Sequence, residues 1–182
     1  CSYVLQILKK DLELLKAKNL EFFTIKGLEK FRDAEIGDFR FVGLIDRIDS
    51  FEPGTIRVVD YKTGRVEEEE MEINFDKADD IINKLFKEDI DKRPAIVLQL
   101  YVYNKFMEKE TKGMMLQNSI YQTHRLFVEE IRSLEVSKKF CDALEERLLD
   151  TLKDLKDISK PWRRTQRKEN CAICEFKNIC GR

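Results

Sequence analysis

Two aspartates and a lysine have the types and the spacing needed for chemistry on a phosphate ester. Asp46 lies in the segment Gly-Leu-Ile-Asp-Arg-Ile-Asp, and Asp60 and Lys62 lie in the later segment Val-Val-Asp-Tyr-Lys-Thr-Gly. A hard divalent cation such as Mg²⁺ prefers carboxylate oxygens and keeps several waters, so one or two acids suffice when substrate phosphate completes its shell. A neighbouring lysine can orient the attacking water, help to deprotonate it, or neutralise developing charge.

The surrounding residues predict two strands that bring these side chains together. Residues 39–49 and 56–61 are rich in Phe, Val, Leu and Ile, and the Pro-Gly pair between them is typical of a turn. An antiparallel hairpin centred near Pro53 places the two aspartates opposite each other. Because strand side chains alternate between faces, Lys62 falls on the same face as the second aspartate.

The alternative interpretation of this pattern is purely structural. An acid and a lysine on the solvated rim of a sheet form an ordinary ion pair that stabilises the fold little. The tripeptide Asp-x-Lys is common, so by itself it favours that interpretation. Its occurrence together with the upstream acid and with the features below favours a functional site.

A helix that follows the two strands supplies two more candidate side chains. From Pro94 to about residue 109, apolar residues recur at helical spacing. Gln99 and Tyr103 lie four residues apart, hence on one helix face. Both donate and accept hydrogen bonds, which suits contact with a nucleic-acid backbone or with active-site acids. The alternative is a polar pair at the edge of a helix packed on the sheet.

The C-terminal segment contains three closely spaced cysteines. Cys171, Cys174 and Cys180 form a C-x2-C-x5-C pattern, which favours a soft-metal site, either Zn²⁺ or an iron–sulfur cluster. A disulfide framework is disfavoured because the cysteine count is odd and these 182 residues contain no signal-peptide pattern. We therefore expect a reducing, cytoplasmic location.

Composition predicts one compact domain over residues 1–182. Apolar residues make up 42% of the chain, which disfavours disorder, and no apolar run is long enough for a membrane span. The net charge of −1 gives no signal for nucleic acid, but residues 160–182 hold seven Lys or Arg against two Glu. This basic segment, with Trp162 beside Arg163, can neutralise phosphates and stack on an unpaired base. A solvated tail with Trp162 anchored on the core is equally compatible.

The order of elements predicts an α/β fold, a small mixed sheet with helices around it. An acidic connector over residues 67–80 is expected to be solvated. The expected elements are a helix over about 2–18, strands over 20–30, 39–49 and 56–62, helices over 76–87 and 94–109, a strand over 119–128, a helix over 135–157, and the Cys-rich tail over 170–182.

These motifs resemble the PD-(D/E)XK nuclease superfamily, specifically its RecB/AddB-like branch, over roughly residues 20–182. The matching segments are Gly43–Asp49, Val59–Gly64, Gln99–Tyr103 and the three tail cysteines. The resemblance implies a restriction-endonuclease-like core with a C-terminal Cys-rich tail.

The resemblance also implies roles for single residues. Asp46 and Asp60 would bind Mg²⁺ or Mn²⁺, with the backbone carbonyl of Tyr61 as a further ligand. Lys62 would be catalytic. Substrate-binding residues are expected to be Gln99, Tyr103 and Arg47.

The same resemblance implies that the three tail cysteines hold a [4Fe–4S] cluster, with a fourth cysteine far upstream. Cys1 is the candidate for that ligand, although its context lacks the expected Cys-Pro, so the cluster is expected to be absent or incomplete in this chain. Cys141 lies in a predicted helix and is expected to be a small buried side chain. Related nucleases often place a His upstream of the first acid, whereas His124 here is expected to be structural. We therefore expect this chain to be the C-terminal piece of a longer protein.

The function expected from these features is a Mg²⁺-dependent deoxyribonuclease. Its most plausible form is an exonuclease that acts on DNA with a helicase subunit or domain in repair or recombination. Two alternatives stay open at this point. One is a CRISPR-adaptation nuclease of the same superfamily, and the other is a catalytically decayed module for DNA binding or scaffolding.

Overall fold

The structure is a computed structural model. It describes residues 2–66, 78–87, 93–123, 132–134 (backbone), 138–161, 163, 165–172 and 174–181. Several features named above lie outside the described residues: Cys1, most of the acidic connector, His124, Trp162 and the C-terminal part of the strand expected to end at residue 128.

Within the part of the chain that the structure describes, five strands form one mixed sheet in the order in which they occur along the chain. The third and fourth strands pair in parallel, and the other neighbouring strands pair antiparallel. The predicted α/β class, a small mixed sheet flanked by helices, is confirmed. The elements within the described residues are α1 (Ser2–Ala17), β1 (Thr24–Ile36), β2 (Phe39–Ser50), β3 (Thr55–Lys62), α2 (Ala78–Phe86), α3 (Ala95–Met107), β4 (Met115–Gln122), β5 (Arg132–Leu134), α4 (Lys138–Lys156) and α5 (Lys168–Ala172).

The hairpin of β2 and β3 has the register predicted from its turn. Arg47 pairs with Val59 and Asp49 pairs with Arg57, so the hairpin is centred on Pro53. Gly54 in the turn has φ +77°, a left-handed conformation that glycine adopts without steric cost. A register shift of one residue would move every side chain of one strand to the other face of the sheet, so the turn determines which side chains lie on each face.

Helix α3 lies between the sheet and the two helices α2 and α4. Its residues Leu100 and Tyr103 pack in the cluster formed with the sheet residues Val58 and Ile120. Tyr101, on another side of the helix, packs with α2 and α4. Full burial of one such leucine contributes roughly 1.5–3 kcal/mol. Since α3 is covered on two sides, its polar residues have fixed positions relative to β3.

Helix α1 lies on the opposite face of the sheet. Ile7 packs against Val59 and Tyr121, and Val59 occupies the strand position whose side chain points away from Val58. The outer side of α1 carries leucines that are about half exposed. No helix among the described residues has the length and apolarity to cross a membrane.

Two of the predicted strands differ from their predicted bounds by more than one residue. Strand β1 continues to Ile36 because a Gly37-Asp38 turn, with Gly37 at φ +58°, returns it directly into β2. Strand β4 begins at Met115 rather than at residue 119 because it pairs along all of β3, from Thr55 onwards. Both extensions follow from pairing with a neighbouring strand rather than from local apolar alternation.

Candidate active site

The site lies where β2 separates from β3. On this side, the last backbone pair of the two strands is Arg47 with Val59. One residue earlier, at Asp46, the side chain rather than the backbone bonds the neighbouring strand. The carboxylate of Asp46 accepts the backbone N–H of Tyr61 at 2.8 Å through Oδ2. Asp46 therefore both satisfies a strand N–H group and stands at the opening between the two strands.

Asp60 and Lys62 lie at the C-terminal end of β3, on the face that α3 covers. The Asp60 side chain is 4% exposed, and its Oδ2 lies 2.9 Å from the Lys62 ammonium. The contact is close but is not aligned as a hydrogen bond, and Oδ2 accepts none from any residue that the structure describes. A buried carboxylate oxygen without a hydrogen bond is costly unless another cation approaches it.

Gln99 of α3 joins the acid to the lysine. Its Oε1 accepts a hydrogen bond from Lys62 Nζ at 2.6 Å, and its Nε2 donates to Asp60 Oδ1 at 2.8 Å. An ammonium group can only donate, so the amide oxygen must face Lys62 and the amide nitrogen must face Asp60. One side chain thus fixes the relative position of both.

Tyr103, one helical turn after Gln99, completes the network. Its hydroxyl accepts from Gln99 Nε2 at 2.8 Å and lies 3.0 Å from the Leu44 carbonyl and 3.3 Å from Asp60 Oδ1. The hydroxyl has one proton, so it donates either to the Leu44 carbonyl or to the Asp60 carboxylate. The pKa of Tyr103 is raised to about 12, chiefly by burial; the hydrogen bond from Gln99 lowers it, and the charges of Asp60 and Asp46 raise it. The phenol is therefore neutral at physiological pH.

The structure does not bring Arg47 to this cluster. Its guanidinium is on the other face of the sheet, 4% exposed, with Nη1 2.7 Å from Asp11 and Nε 2.7 Å from Asp49. Arg57 pairs with the same Asp49 at 2.7 Å. The expected substrate contact of Arg47 is replaced in this conformation by buried ion pairs.

The residues present fit a hard divalent cation. Asp46 and Asp60 supply two carboxylates against the single charge of Lys62, and Asp60 Oδ2 has lone pairs that no described hydrogen bond uses. No group of three or more His, Cys, Asp or Glu is placed for a metal among the described residues. Two acids, a backbone carbonyl, waters and substrate phosphate nevertheless meet the needs of Mg²⁺.

The three tail cysteines occupy the last described segment of the chain. Cys171 belongs to the short helix α5, and Cys174 and Cys180 flank the turns that follow it. All three are half-buried, yet within the described part of the chain they do not form a group placed for a metal. Cys141, which was expected to be buried, is half-buried: it packs against the core around α2 and α4, and partial burial raises the pKa of its thiol.

Asp11 was not among the residues singled out from the sequence. This carboxylate is 2% exposed and is the one residue of α1 that is fully buried. The available signal was its position: Ile7, Asp11 and Leu14 follow helical spacing on the side of α1 that faces the sheet. An acid on an apolar-periodic face predicts a buried partner, but the partner's identity needs the fold.

The mixed sheet, its flanking helices and the acid–acid–lysine cluster define a restriction-endonuclease-like α/β fold. The chain belongs to the PD-(D/E)XK nuclease superfamily, whose model matches residues 3–181. A search of curated proteins found no match.

Two solved structures show some similarity. A candidate exonuclease from Eubacterium rectale is 14% identical over 84% of this chain and 51% of its own, with a TM-score of 0.43. The protein SSO0001 is 15% identical over 98% of this chain and 70% of its own, with a TM-score of 0.38. This chain thus spans about half the length of the first.

Proposed function

We propose that this chain is a metal-dependent deoxyribonuclease that hydrolyses phosphodiester bonds. The observation that carries the proposal is the hydrogen-bonded series Lys62–Gln99–Asp60, next to Asp46 at the opening of two strands. Membership of a nuclease superfamily supports the reaction class. The choice of DNA as substrate rests on the resemblance of the motifs.

Metal binding and activation of the water would be carried out by different residues of the site. Asp46, Asp60 and the Tyr61 carbonyl would hold Mg²⁺ or Mn²⁺, which when bound lowers the pKa of a water and stabilises charge on the phosphoryl group. Lys62, whose side chain is 25% exposed, is accessible to water and phosphate and would orient the nucleophilic water or neutralise developing negative charge.

Gln99 and Tyr103 support these groups from α3. Gln99 holds Lys62 and Asp60 in place, and Tyr103 spans from the acid to the carbonyl of Leu44. Tyr103 is only 6% exposed, so its first role is to position the acid. Contact between the half-buried Gln99 and a nucleic-acid strand stays a prediction.

The decisive experiment measures Mg²⁺-dependent degradation of linear DNA by the wild type and by the variants Asp60→Ala and Lys62→Ala. Each variant should lose activity by roughly a factor of 100 or more, because each removes charge stabilisation from the transition state. The matched controls Asp142→Ala and Lys138→Ala break an exposed ion pair of α4 and should keep full activity. Circular dichroism checks that all four fold.

Retained activity in both site variants would overturn the proposal. An inactive wild type that still folds would favour a decayed binding module. Parallel assays with single-stranded DNA, duplex DNA and RNA of equal length identify the substrate. Faster degradation of RNA than of either DNA would assign RNA as the substrate instead.

The finer proposal is a RecB/AddB-like exonuclease that works with a helicase in repair or recombination. It rests on the order of the motifs. An exonuclease should degrade linear DNA and leave a closed circle intact, whereas nicking of the circle would indicate an endonuclease. Increased degradation of a long duplex when a helicase domain is added in the same polypeptide would support the partnership.

The tail is proposed to hold iron or zinc when a fourth ligand is supplied. Its support is the C-x2-C-x5-C spacing alone, because the described cysteines do not already surround a metal. Iron, sulfide and zinc analysis of protein purified without oxygen distinguishes a cluster, a zinc site and unmetallated thiols. No step of the hydrolysis depends on this group.

A further inference from the structure

A buried polar network joins α1 to the sheet. Asp11 accepts two hydrogen bonds from Arg47, at 2.7 Å from Nη1 to Oδ2 and at 3.1 Å from Nη2 to Oδ1. The Tyr121 hydroxyl donates to Asp11 Oδ1 at 2.7 Å. The bidentate arrangement fixes the direction of the guanidinium as well as its distance. We call Asp11, Arg47, Tyr61 and Tyr121 the Asp11 network.

The network reaches the candidate active site through Tyr61. Arg47 Nη1 donates to the Tyr61 hydroxyl at 3.2 Å, and the Tyr61 ring packs edge-on against Tyr121 with centroids 5.5 Å apart. Tyr61 lies between Asp60 and Lys62 in β3, and alternation directs its ring to the opposite face of the sheet. Its backbone N–H binds Asp46. The network and the site therefore hold the same residue from two faces.

Packing alone holds α1 weakly. Ile7 is only partly buried against the sheet, and Val4, Leu5, Leu8 and Leu12 are between 49% and 60% exposed. Asp11 is the exception, at 2% exposed. Buried ion pairs often contribute little net stability compared with apolar residues of similar volume, but they specify geometry. The hydrogen bonds that Asp11 accepts from Arg47 and Tyr121 thus help to fix the position of α1 on the sheet.

We propose that Asp11 is a positioning residue for the candidate metal site. Through Arg47 and Tyr61 it fixes the end of β3, so that the Tyr61 backbone and the two acids keep the arrangement a cation needs. The proposal rests on the proposed function, because it assumes that Asp46 and Asp60 bind a divalent cation. It adds that α1, a helix on the other face of the sheet, contributes to that binding.

The test measures the dissociation constant for Mn²⁺ by calorimetry, together with thermal unfolding. Asp11→Asn keeps the side-chain shape but removes one of the two carboxylate charges, those of Asp11 and Asp49, that pair with Arg47. Tyr61→Phe removes only the hydroxyl and leaves the Asp11–Arg47 pair in place. Both should weaken Mn²⁺ binding about tenfold, as loss of an outer partner of metal ligands does. The control Tyr101→Phe removes the hydroxyl of another tyrosine, one that bonds Glu145 instead, and should leave Mn²⁺ affinity unchanged.

The outcomes separate the two proposals. A wild type that binds no Mn²⁺ contradicts the proposed function. A wild type that binds Mn²⁺, with Asp11→Asn and Tyr61→Phe binding equally well, overturns the positioning role even if both variants melt earlier. If Asp11→Asn does not fold, Tyr61→Phe decides alone: weaker binding than in Tyr101→Phe supports the inference, and equal binding rejects it.

Discussion

The amide nitrogen of Gln99 donates to Asp60 Oδ1 at 2.8 Å, from a helix to a strand residue 39 positions earlier in the chain. The oxygen of the same amide accepts a hydrogen bond from Lys62 at 2.6 Å. Because the oxygen only accepts and the nitrogen only donates, a single orientation of the amide satisfies both contacts. The acid and the lysine are therefore held by a third side chain rather than only by their own 2.9 Å ion pair. This arrangement makes Gln99 a position at which geometry can be altered without changing the charge of the site.

Gln99→Met should lower kcat by about 10- to 100-fold, because Lys62 and Asp60 lose the partner that orients them. The substitution keeps side-chain length and removes only the hydrogen bonds. The control is Asn104→Ala, which removes another half-buried amide of α3, bonded to Asn118 at 2.9 Å. Steady-state hydrolysis of a labelled DNA checks both, and equal rates in the two variants would contradict the role of Gln99.

Mn²⁺ should stabilise the wild type and fail to stabilise Asp46→Asn. A ligand at one hundred times its dissociation constant adds about 2.7 kcal/mol, which for a chain of this size raises Tm by roughly 5–10 °C. Asparagine can still accept the Tyr61 N–H, so the variant should fold without metal. Differential scanning calorimetry with and without Mn²⁺ measures the shift. An equal shift in the variant would exclude Asp46 as a ligand.

The Tyr103 phenol should stay protonated throughout the working pH range, since its pKa is raised to about 12. An unfolded tyrosine ionises near pH 10, so the stability linked to the neutral phenol is present below about pH 10 and is lost as pH rises through about 12. Tyr103→Phe should lower activity yet keep the alkaline limb of the pH–rate profile between about pH 8 and 10. A displaced limb would show that Tyr103 titrates in that range.

Local sequence signals were sufficient for the hairpin that carries the site. The Pro53-Gly54 turn and the apolar strands around it predicted the register of Arg47 with Val59, which the structure has. In that register Asp60 pairs with Lys62, and Asp46 binds the backbone N–H of Tyr61 between them. The turn and the two strands are neighbours in the sequence, so local patterns are enough to predict their pairing. The four-residue spacing of Gln99 and Tyr103 likewise predicted that they share a helix face.

What the sequence left open depends on contacts between distant segments. Arg47 was expected to bind substrate, yet its side chain lies on the other face of the sheet, where it pairs with Asp11, 36 residues away in the chain. No local pattern couples those two positions. The polar segment after Lys30 also belongs to β1, although its sequence did not predict a strand. In that segment β1 is held by its pairing with β2 rather than by burial of an apolar face.

Glu145→Gln should destabilise the domain at neutral pH by about 1–2 kcal/mol, because it weakens two hydrogen bonds, from Lys105 and from Tyr101. Hydrogen bonds from Lys105 and then Tyr101 lower the pKa of the Glu145 carboxyl. A lowered pKa means that the stabilisation is present above the unfolded value near 4.3 and is lost as pH falls through the lower folded value. The wild type and Glu145→Gln should therefore differ at neutral pH and converge in acid.

Urea denaturation at several pH values measures this difference. The control is Glu146→Gln, an exposed acid one position later on α4, which should change the free energy of unfolding by less than about 0.5 kcal/mol at every pH. A pH-independent loss of stability in Glu145→Gln would assign its effect to packing against α3 rather than to charge.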